Sequence, residues 1–530
     1  MNYTTKPLKI TLMLITSIIK DQKIILSLIF TYIGLIISYL VTSSDFLADN
    51  FAIKLINVGV MEIIFAYDKN FLFLSSSLLS LVPLVFLYIS EYHNKQNFSK
   101  SLAQIYFFIF LCSLCLLAIA LSANLFTMFV SYELLTLCTI PLIICGTGDK
   151  AKASLKYYLT LLISSSLFLV LPIIIIVGNK NFSNQGIIEN TFSYISGLLI
   201  LCSLMFGFSK AAIFPLHSWI IKAMIAPYPI SGIIHGVIVV KAGIICLLKI
   251  FYLVFGINYF KTLIDQNIWL MVIPIISILY ASIKANIETK IKKILAFSTI
   301  SQLSFIILIA MNNNFAMVQI AVLNHAINKL MLFLTFGVLY YSYNVTKLED
   351  LKSLYKTNKT VLIYIILSTL CISGIPLSAG GIIKSNIVTT LSIELNILFS
   401  ICTILTISYL YRLVRHFFIN APVSNKIAKK NISLNIFAHL FIIANLYLSI
   451  KEYYDTNLLT HDLIKFFILC ISGIISSHLI EYIHKTISKF SIAENIFKIN
   501  TPTYMLELSK VNIDYQLLLI IAGLIMFLSI

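Results

Sequence analysis

Charge is what this 530-residue chain has least of: Asp, Glu, Lys and Arg together make up 11% of it, where a soluble protein carries about one-quarter. Acid is the scarcer sign, with 21 acidic against 38 basic residues and a formal net charge of +17. At 59% hydrophobic residues, the chain would expose apolar surface all round in water. That excludes a soluble globular protein, a disordered chain and a coiled coil. Cysteines number nine and all lie in apolar runs, which excludes a secreted disulfide scaffold. Cys112 and Cys115 form a CxxC, but no histidine or second pair flanks it, so packing rather than metal or redox use is expected. There is no dinucleotide-type Gly-rich turn and no cysteine ligand set, so no cofactor and no metal site is expected. No cleavable signal is evident either: Met1 to Lys9 is polar, and no small-residue cleavage site follows the first apolar run.

What the chain does have is apolar runs, in most of which charge is absent, and those of about 18 residues or more are long enough to span a bilayer. About sixteen helices are predicted on that basis. They are Leu8–Ile19, Ile24–Val41, Asn70–Tyr92, Ser101–Leu121, Ala123–Ile144, Ala153–Gly178, Thr191–Lys222, Tyr228–Phe255, Asn267–Lys284, Ile291–Met311, Phe315–Tyr343, Thr360–Thr390, Ser392–Phe418, Ser433–Ile450, Leu463–Tyr482 and Ile513–Leu528. If they alternate, the loops starting at Lys20, Glu91, Gly146, Lys222, Lys284, Thr346, Asn420 and Ile483 share one side and hold most of the 38 Lys and Arg. The positive-inside rule makes that side cytoplasmic and puts both termini on the other. The basic surplus lies in short loops between apolar runs, so the expected environment is lipid and not nucleic acid.

Four lysines do not fit the loops. Lys210, Lys241, Lys329 and Lys384 fall inside predicted spans, together with the acid Glu133 and the histidines His217, His235 and His325. A lysine at mid-bilayer costs a few kcal/mol even on lenient scales, so such residues face a partner or a cavity. One alone reads as a snorkelling end residue or a structural ion pair. Several at comparable depth read as a proton path, because burial and a nearby carboxylate move a lysine's proton affinity in opposite directions and histidine titrates near neutrality. Two of the spans carry helix breakers beside the charge. Lys210 precedes Pro215 in SKAAIFPLHSW, and Pro376, Gly374, Gly380 and Gly381 precede Lys384 in SGIPLSAGGIIK. Paired broken spans mark inverted-repeat transporters. His325 and Lys329 are four apart and share one helix face. His235 and Lys241 are six apart, and a local bulge would bring them closer.

From about Asn124 to Arg415 these segments resemble the antiporter-like subunits shared by Mrp-type cation/proton antiporters and respiratory complex I. FGFSKAAIFPLHSWIIKAMIAPYPISGIIHGVIVVKAG carries the resemblance most specifically, followed by KKILAFSTISQLSFI and NHAINKLMLFLTFG. The resemblance implies a fold: an all-α polytopic membrane protein of about 14–16 transmembrane helices, with an inverted repeat of two bundles, each holding a broken helix. The implied divisions are 1–100, N-terminal helices; 101–255, first repeat; 267–420, second repeat; and 433–530, C-terminal helices. It also implies roles. Glu133 matches the family's fifth-helix glutamate and Lys210 its partner on the first broken helix; His235 and Lys241 match the eighth-helix relay, His325 and Lys329 the eleventh-helix positions, and Lys384 the last lysine of the path. Two departures concern the docking of partners: Gly380-Gly381 stands for the usual Gly-Phe, and Trp219-Ile220-Ile221 for Trp-Leu-Pro.

The favoured reading is a subunit, itself not an enzyme, that moves protons and a monovalent cation, Na⁺ or K⁺, within a multisubunit antiporter, most like its D-type subunit. The alternative is a proton-pumping membrane subunit of an NADH:quinone oxidoreductase, with redox chemistry on partner chains. A non-conducting scaffold is disfavoured because the buried charges are kept. Other membrane subunits are the expected partners, and a bacterial cell membrane the expected location.

Overall fold

Every membrane helix must satisfy its own backbone, and the sequence supplies the ends as well as the apolar middles. The computed structural model describes residues 52–420 apart from 59–60, 94–99, 146–148, 177–181, 183–185, 189–191, 313 and 377, together with parts of 434–442 and residues 466–482. The predicted helices Leu8–Ile19, Ile24–Val41 and Ile513–Leu528 lie outside the described residues, as does most of Ser433–Ile450.

The described chain opens on an antiparallel hairpin, β1 (Ala52–Val58) and β2 (Met61–Ala66), in a stretch the hydropathy pattern leaves as loop. Helices follow: α1 (Lys69–Leu79), α2 (Val82–His93), α3 (Leu102–Leu121), α4 (Leu125–Ile143), α5 (Asp149–Ile175), α6 (Tyr194–Gly207) and α7 (Ser218–Ala223). The span α8 (Tyr228–Val254) is continuous but wound as π-helix at Ile233–Val237 and Ile250–Val254. Then come α9 (Ile257–Gln266), α10 (Trp269–Ile287), α11 (Ile291–Met311), α12 (Phe315–Tyr343), α13 (Lys359–Ser373), α14 (Ala379–Thr390), α15 (Ile393–Arg415) and α16 (Phe466–Tyr482). Among the described residues, nine helical spans are long and apolar enough to cross a membrane. Short polar side chains start several of them: Asp68 accepts from the amides of Asn70 and Phe71, Asn124 from that of Thr127, and Ser101 and Gln104 close a capping box on α3.

Both predicted broken spans are broken. The first divides into α6 and α7, with a 3₁₀ turn at Ser209–Ala211 and Ala212 in the left-handed region at φ 61° between them. The second divides into α13 and α14 around Gly374 at φ 89°. Element order repeats: three unbroken helices, a broken pair and one more span occur in α3–α8 and again in α10–α15.

Three spans, α8, α11 and α12, are almost wholly buried. The outer ones are one-sided: α3 exposes Phe107, Phe110 and Leu114 while burying Ile105, Ile109 and Cys112. In a bilayer such faces meet lipid or another subunit, while Lys241, His325 and Lys329 lie on the inner spans α8 and α12.

Candidate functional site

Lys210 sits in the 3₁₀ turn between the halves of the first broken helix and is fully buried. The expected ion pair with Glu133 is not formed: no contact within 4 Å joins them. The lysine instead meets the residue next door. Its Nζ donates to the backbone carbonyl of Tyr132 at 2.5 Å and stands 3.2 Å from the centre of the Tyr132 ring, while its own amide donates to the Tyr132 hydroxyl at 2.9 Å. A carbonyl and an aromatic face are both partners for a desolvated ammonium. Glu133 is half-buried and accepts from the Ser166 hydroxyl on α5 at 2.6 Å.

The turn that carries Lys210 is seated by α8. A Cβ added at Gly243 would stand 2.3 Å from the Ala211 amide nitrogen, so the glycine of the Val-Lys-Ala-Gly motif is what lets the two backbones touch. Two residues earlier on the same span, Lys241 turns to the centre of the molecule. Its Nζ lies 2.6 Å from Nδ1 of His325 on α12, both residues being buried. One turn further along α12, Lys329 donates to the Ser298 hydroxyl on α11 at 2.6 Å. The sequence motif KKILAFSTISQLSFI thus supplies the oxygen for the lysine of NHAINK. Lys241, His325 and Lys329 are all buried; Lys241 and His325 are in contact, while Lys329 bonds Ser298 and no described hydrogen bond joins it to either of them.

His235 does not join them. It lies in the π-turn of α8, as a bulge there requires, but its ring sits 6.1 Å from those of Trp219 and Phe333 and neither ring nitrogen has a hydrogen-bond partner. His217 stacks on Phe214 at 5.5 Å, beside the break. Lys384 lies on α14, past the second break, and reaches back to donate to the Ser373 carbonyl at 2.7 Å, the last residue of α13. Gly374 makes room for it, since a Cβ there would meet the Lys384 side chain at 2.6 Å.

Two lysines counted with the loops as residues of the adjoining helix ends are tied into the structure. Lys249 is buried on α8 and donates to the Ser122 carbonyl at 2.7 Å, with the rings of Phe71 and Phe182 nearby. Its signal in the sequence is its place eight residues after Lys241 within one apolar run. Lys292, half-buried at the start of α11, donates to the carbonyls of Met224 and Ala226 and stands 4.6 Å from the Tyr228 ring.

The chain is similar to known proteins in sequence and in fold. The family model described as "NADH:quinone oxidoreductase/Mrp antiporter, TM" matches residues 122–410. The chain belongs to this family. Among relatives, it is 28% identical over 449 residues to NADH-quinone oxidoreductase subunit L of Buchnera aphidicola subsp. Schizaphis graminum, covering 79% of this chain and 69% of the relative. It is 29% identical over 349 residues to the putative antiporter subunit mnhA2 of Staphylococcus saprophyticus, covering 61% of this chain but only 42% of the relative. Among solved structures, the Mrp complex from Dietzia sp. DQ12-45-1b superposes with a TM-score of 0.71 at 17% identity, over 96% of this chain and 61% of that one. The archaeal membrane-bound sulfane sulfur reductase does so with a TM-score of 0.68 at 18% identity, over 86% and 94%. The protein is therefore a multi-pass membrane protein of the antiporter-like fold.

Proposed function

We propose that the chain is a proton-translocating membrane subunit that moves protons through its buried Lys/His/Glu groups, within a multisubunit cation/proton antiporter that exchanges them for Na⁺ or K⁺. The observation that carries this reading is the 2.6 Å contact between Lys241 and His325, buried on two of the most enclosed spans. Two basic groups at hydrogen-bond distance are stable when they share one proton rather than hold two, and a shared proton is one that can be handed on. Glu133, Lys210 and Tyr132 form the first part of the path, Lys384 the far end, and Lys329 the link beside the centre. His235 acts as a neighbour to the path and not as a member in the arrangement described. The divisions 101–255 and 267–420 are the two repeats, which the repeated element order supports.

The second reading is a proton-pumping membrane subunit of an NADH:quinone oxidoreductase. The likeness to subunit L supports it, as strongly in identity as the likeness to an antiporter subunit supports the first. Both relatives are longer than the part matched, and neither is a D-type subunit, so the D-type assignment is not carried further. In either case the working unit includes other membrane subunits, redox chemistry belongs to partner chains, and the location is a bacterial cell membrane with the Lys-rich loops in the cytoplasm. Purification of the intact complex separates the readings. Proton movement driven by a Na⁺ or K⁺ gradient, with other antiporter subunits present, supports the first; proton movement driven by NADH oxidation replaces it with the second; none in either assay overturns both.

A further inference from the structure

The break in the first broken helix frees backbone groups that a continuous helix would satisfy. One of them is answered from within the segment: the Trp219 indole donates to the Ser209 carbonyl at 3.0 Å. Another is answered from across the molecule. The Phe214 amide, a few residues past Lys210, donates to the Ser277 hydroxyl on α10 at 3.0 Å. Ser277 is buried and spends its own hydrogen on the Ile273 carbonyl, also at 3.0 Å, so an oxygen lone pair is left to accept. One turn along α10, the Tyr280 ring lies 5.3 Å from that of Phe214 and 4.8 Å from that of His217. The far end of the segment is held from the same side, by Lys292 of α11 on the carbonyls of Met224 and Ala226.

The segment that follows Lys210 is thus tied at both ends to α10 and α11. Those helices lie in the division 267–420, whereas Lys210 lies in 101–255. A serine on a membrane helix needs only its own carbonyl one turn back to be satisfied. Ser277 has that bond and takes a foreign amide as well. Ala211, Ala212 and Ile213 are all that separate Lys210 from Phe214, and Ala212 is held in the left-handed region at φ 61°. A connection this short has little slack, so a shift of Phe214 shifts the Lys210 turn.

We infer that Ser277 is a positioning residue for Lys210, which it sets through the Phe214 amide with the Tyr280 ring as its support. The lysine of one half thereby takes its place from the other half. Ser277 itself carries no proton. The inference rests on the proposed function, in which Lys210 belongs to the path, and adds what holds that lysine in register. Position matters because transfer is steep in distance: a displacement of about 1 Å can cost about a hundredfold.

The test is the intact complex in membrane vesicles, with proton movement followed by a pH-sensitive dye and assembly read from the subunits that copurify. Ser277→Ala leaves the Phe214 amide without its acceptor, and flux is expected to fall roughly tenfold. Ser277→Thr keeps the hydroxyl and should restore the rate. Ser282→Ala removes an equally buried hydroxyl from the same helix, one that faces Ser301, and should leave flux near that of the wild type. Tyr132→Phe removes the hydroxyl that accepts the Lys210 amide and so loosens the same turn from its other side. Combined with Ser277→Ala it should be no slower than the slower single variant. Wild-type flux in assembled Ser277→Ala overturns the inference. So does equal slowing in Ser282→Ala, a threonine variant as slow as the alanine one, or slowing that multiplies with Tyr132→Phe. Should Ser277→Ala not assemble, Tyr280→Leu, which strips the ring from Phe214 and His217, takes its place and is judged by the same flux and the same pairing with Tyr132→Phe. In each of these results the wild-type complex moves protons and the proposed function stands. If the wild-type complex moves none, the proposed function falls and this inference with it.

Discussion

Lys210 is held by a carbonyl and an aromatic ring, with the carboxylate of Glu133 turned away to Ser166. A buried ammonium with neutral partners keeps its charge only at a cost, which leaves its proton transferable. Lys210→Ala should therefore sharply lower proton flux in vesicles containing the assembled complex. Wild-type flux in that variant would remove Lys210 from the path. Lys384 separates charge from proton transfer. Lys384→Arg keeps the cation beside the Ser373 carbonyl, but a guanidinium effectively never deprotonates. The expected result is normal assembly with lost flux; retained flux would leave Lys384 the role of a fixed charge.

Among the elements, α8 ties the central group to the first broken helix, because it carries both Lys241 and the Gly243 contact. Gly243→Ala puts a methyl group into the Ala211 backbone, where nothing flexible can yield. A loss of about 1–3 kcal/mol is expected, seen as a lower melting temperature of the purified complex, with flux falling as the Lys210 turn is displaced. The loop after α12 is pinned differently. Asp350 accepts from the amides of Thr346 and Lys347, each at 2.8 Å. Its slight burial pushes the carboxyl up, but the amide bonds outweigh this, and its proton affinity is lowered overall. A lowered carboxylate stabilises the fold above its ordinary range and stops doing so as the pH falls through the lowered one. Asp350→Ala should thus melt lower than wild type at neutral pH, and the gap should close on acidification.

The same elements show what a sequence can tell. Both broken spans are legible because helix breakers fall beside a charge within an apolar run; proline alone does not mark a break, since Pro141, Pro172 and Pro274 lie inside unbroken helices. The buried residues Lys210, Lys241 and Lys329 and the half-buried Lys384 are legible because membrane spans exclude charge so strongly. The partner of Lys210 is not: Glu133 has the right sign and depth, but one residue on a helix is a rotation of about 100°, and it is Tyr132 that faces the lysine. The hairpin β1–β2 escapes as well, since its two strands are too short and too mixed in polarity for a bilayer-length window to register. Lys249 and Lys292 are hidden for the opposite reason: near the end of a span, burial and solvation look alike in one dimension.

Across the whole molecule, the most enclosed spans α8, α11 and α12 hold the central polar group, and the broken helices flank them on either side in the chain. This order makes the Lys241–His325 contact the only described hydrogen bond between side chains of the candidate path residues. The most direct test removes it: Lys241→Met in the intact complex, assayed for proton movement in membrane vesicles beside the wild type. Methionine fills the same volume without the nitrogen, and His325 can stay neutral, so the complex should assemble with its usual subunits. Proton movement should fall to background. An assembled Lys241→Met complex that moves protons at the wild-type rate would contradict the account.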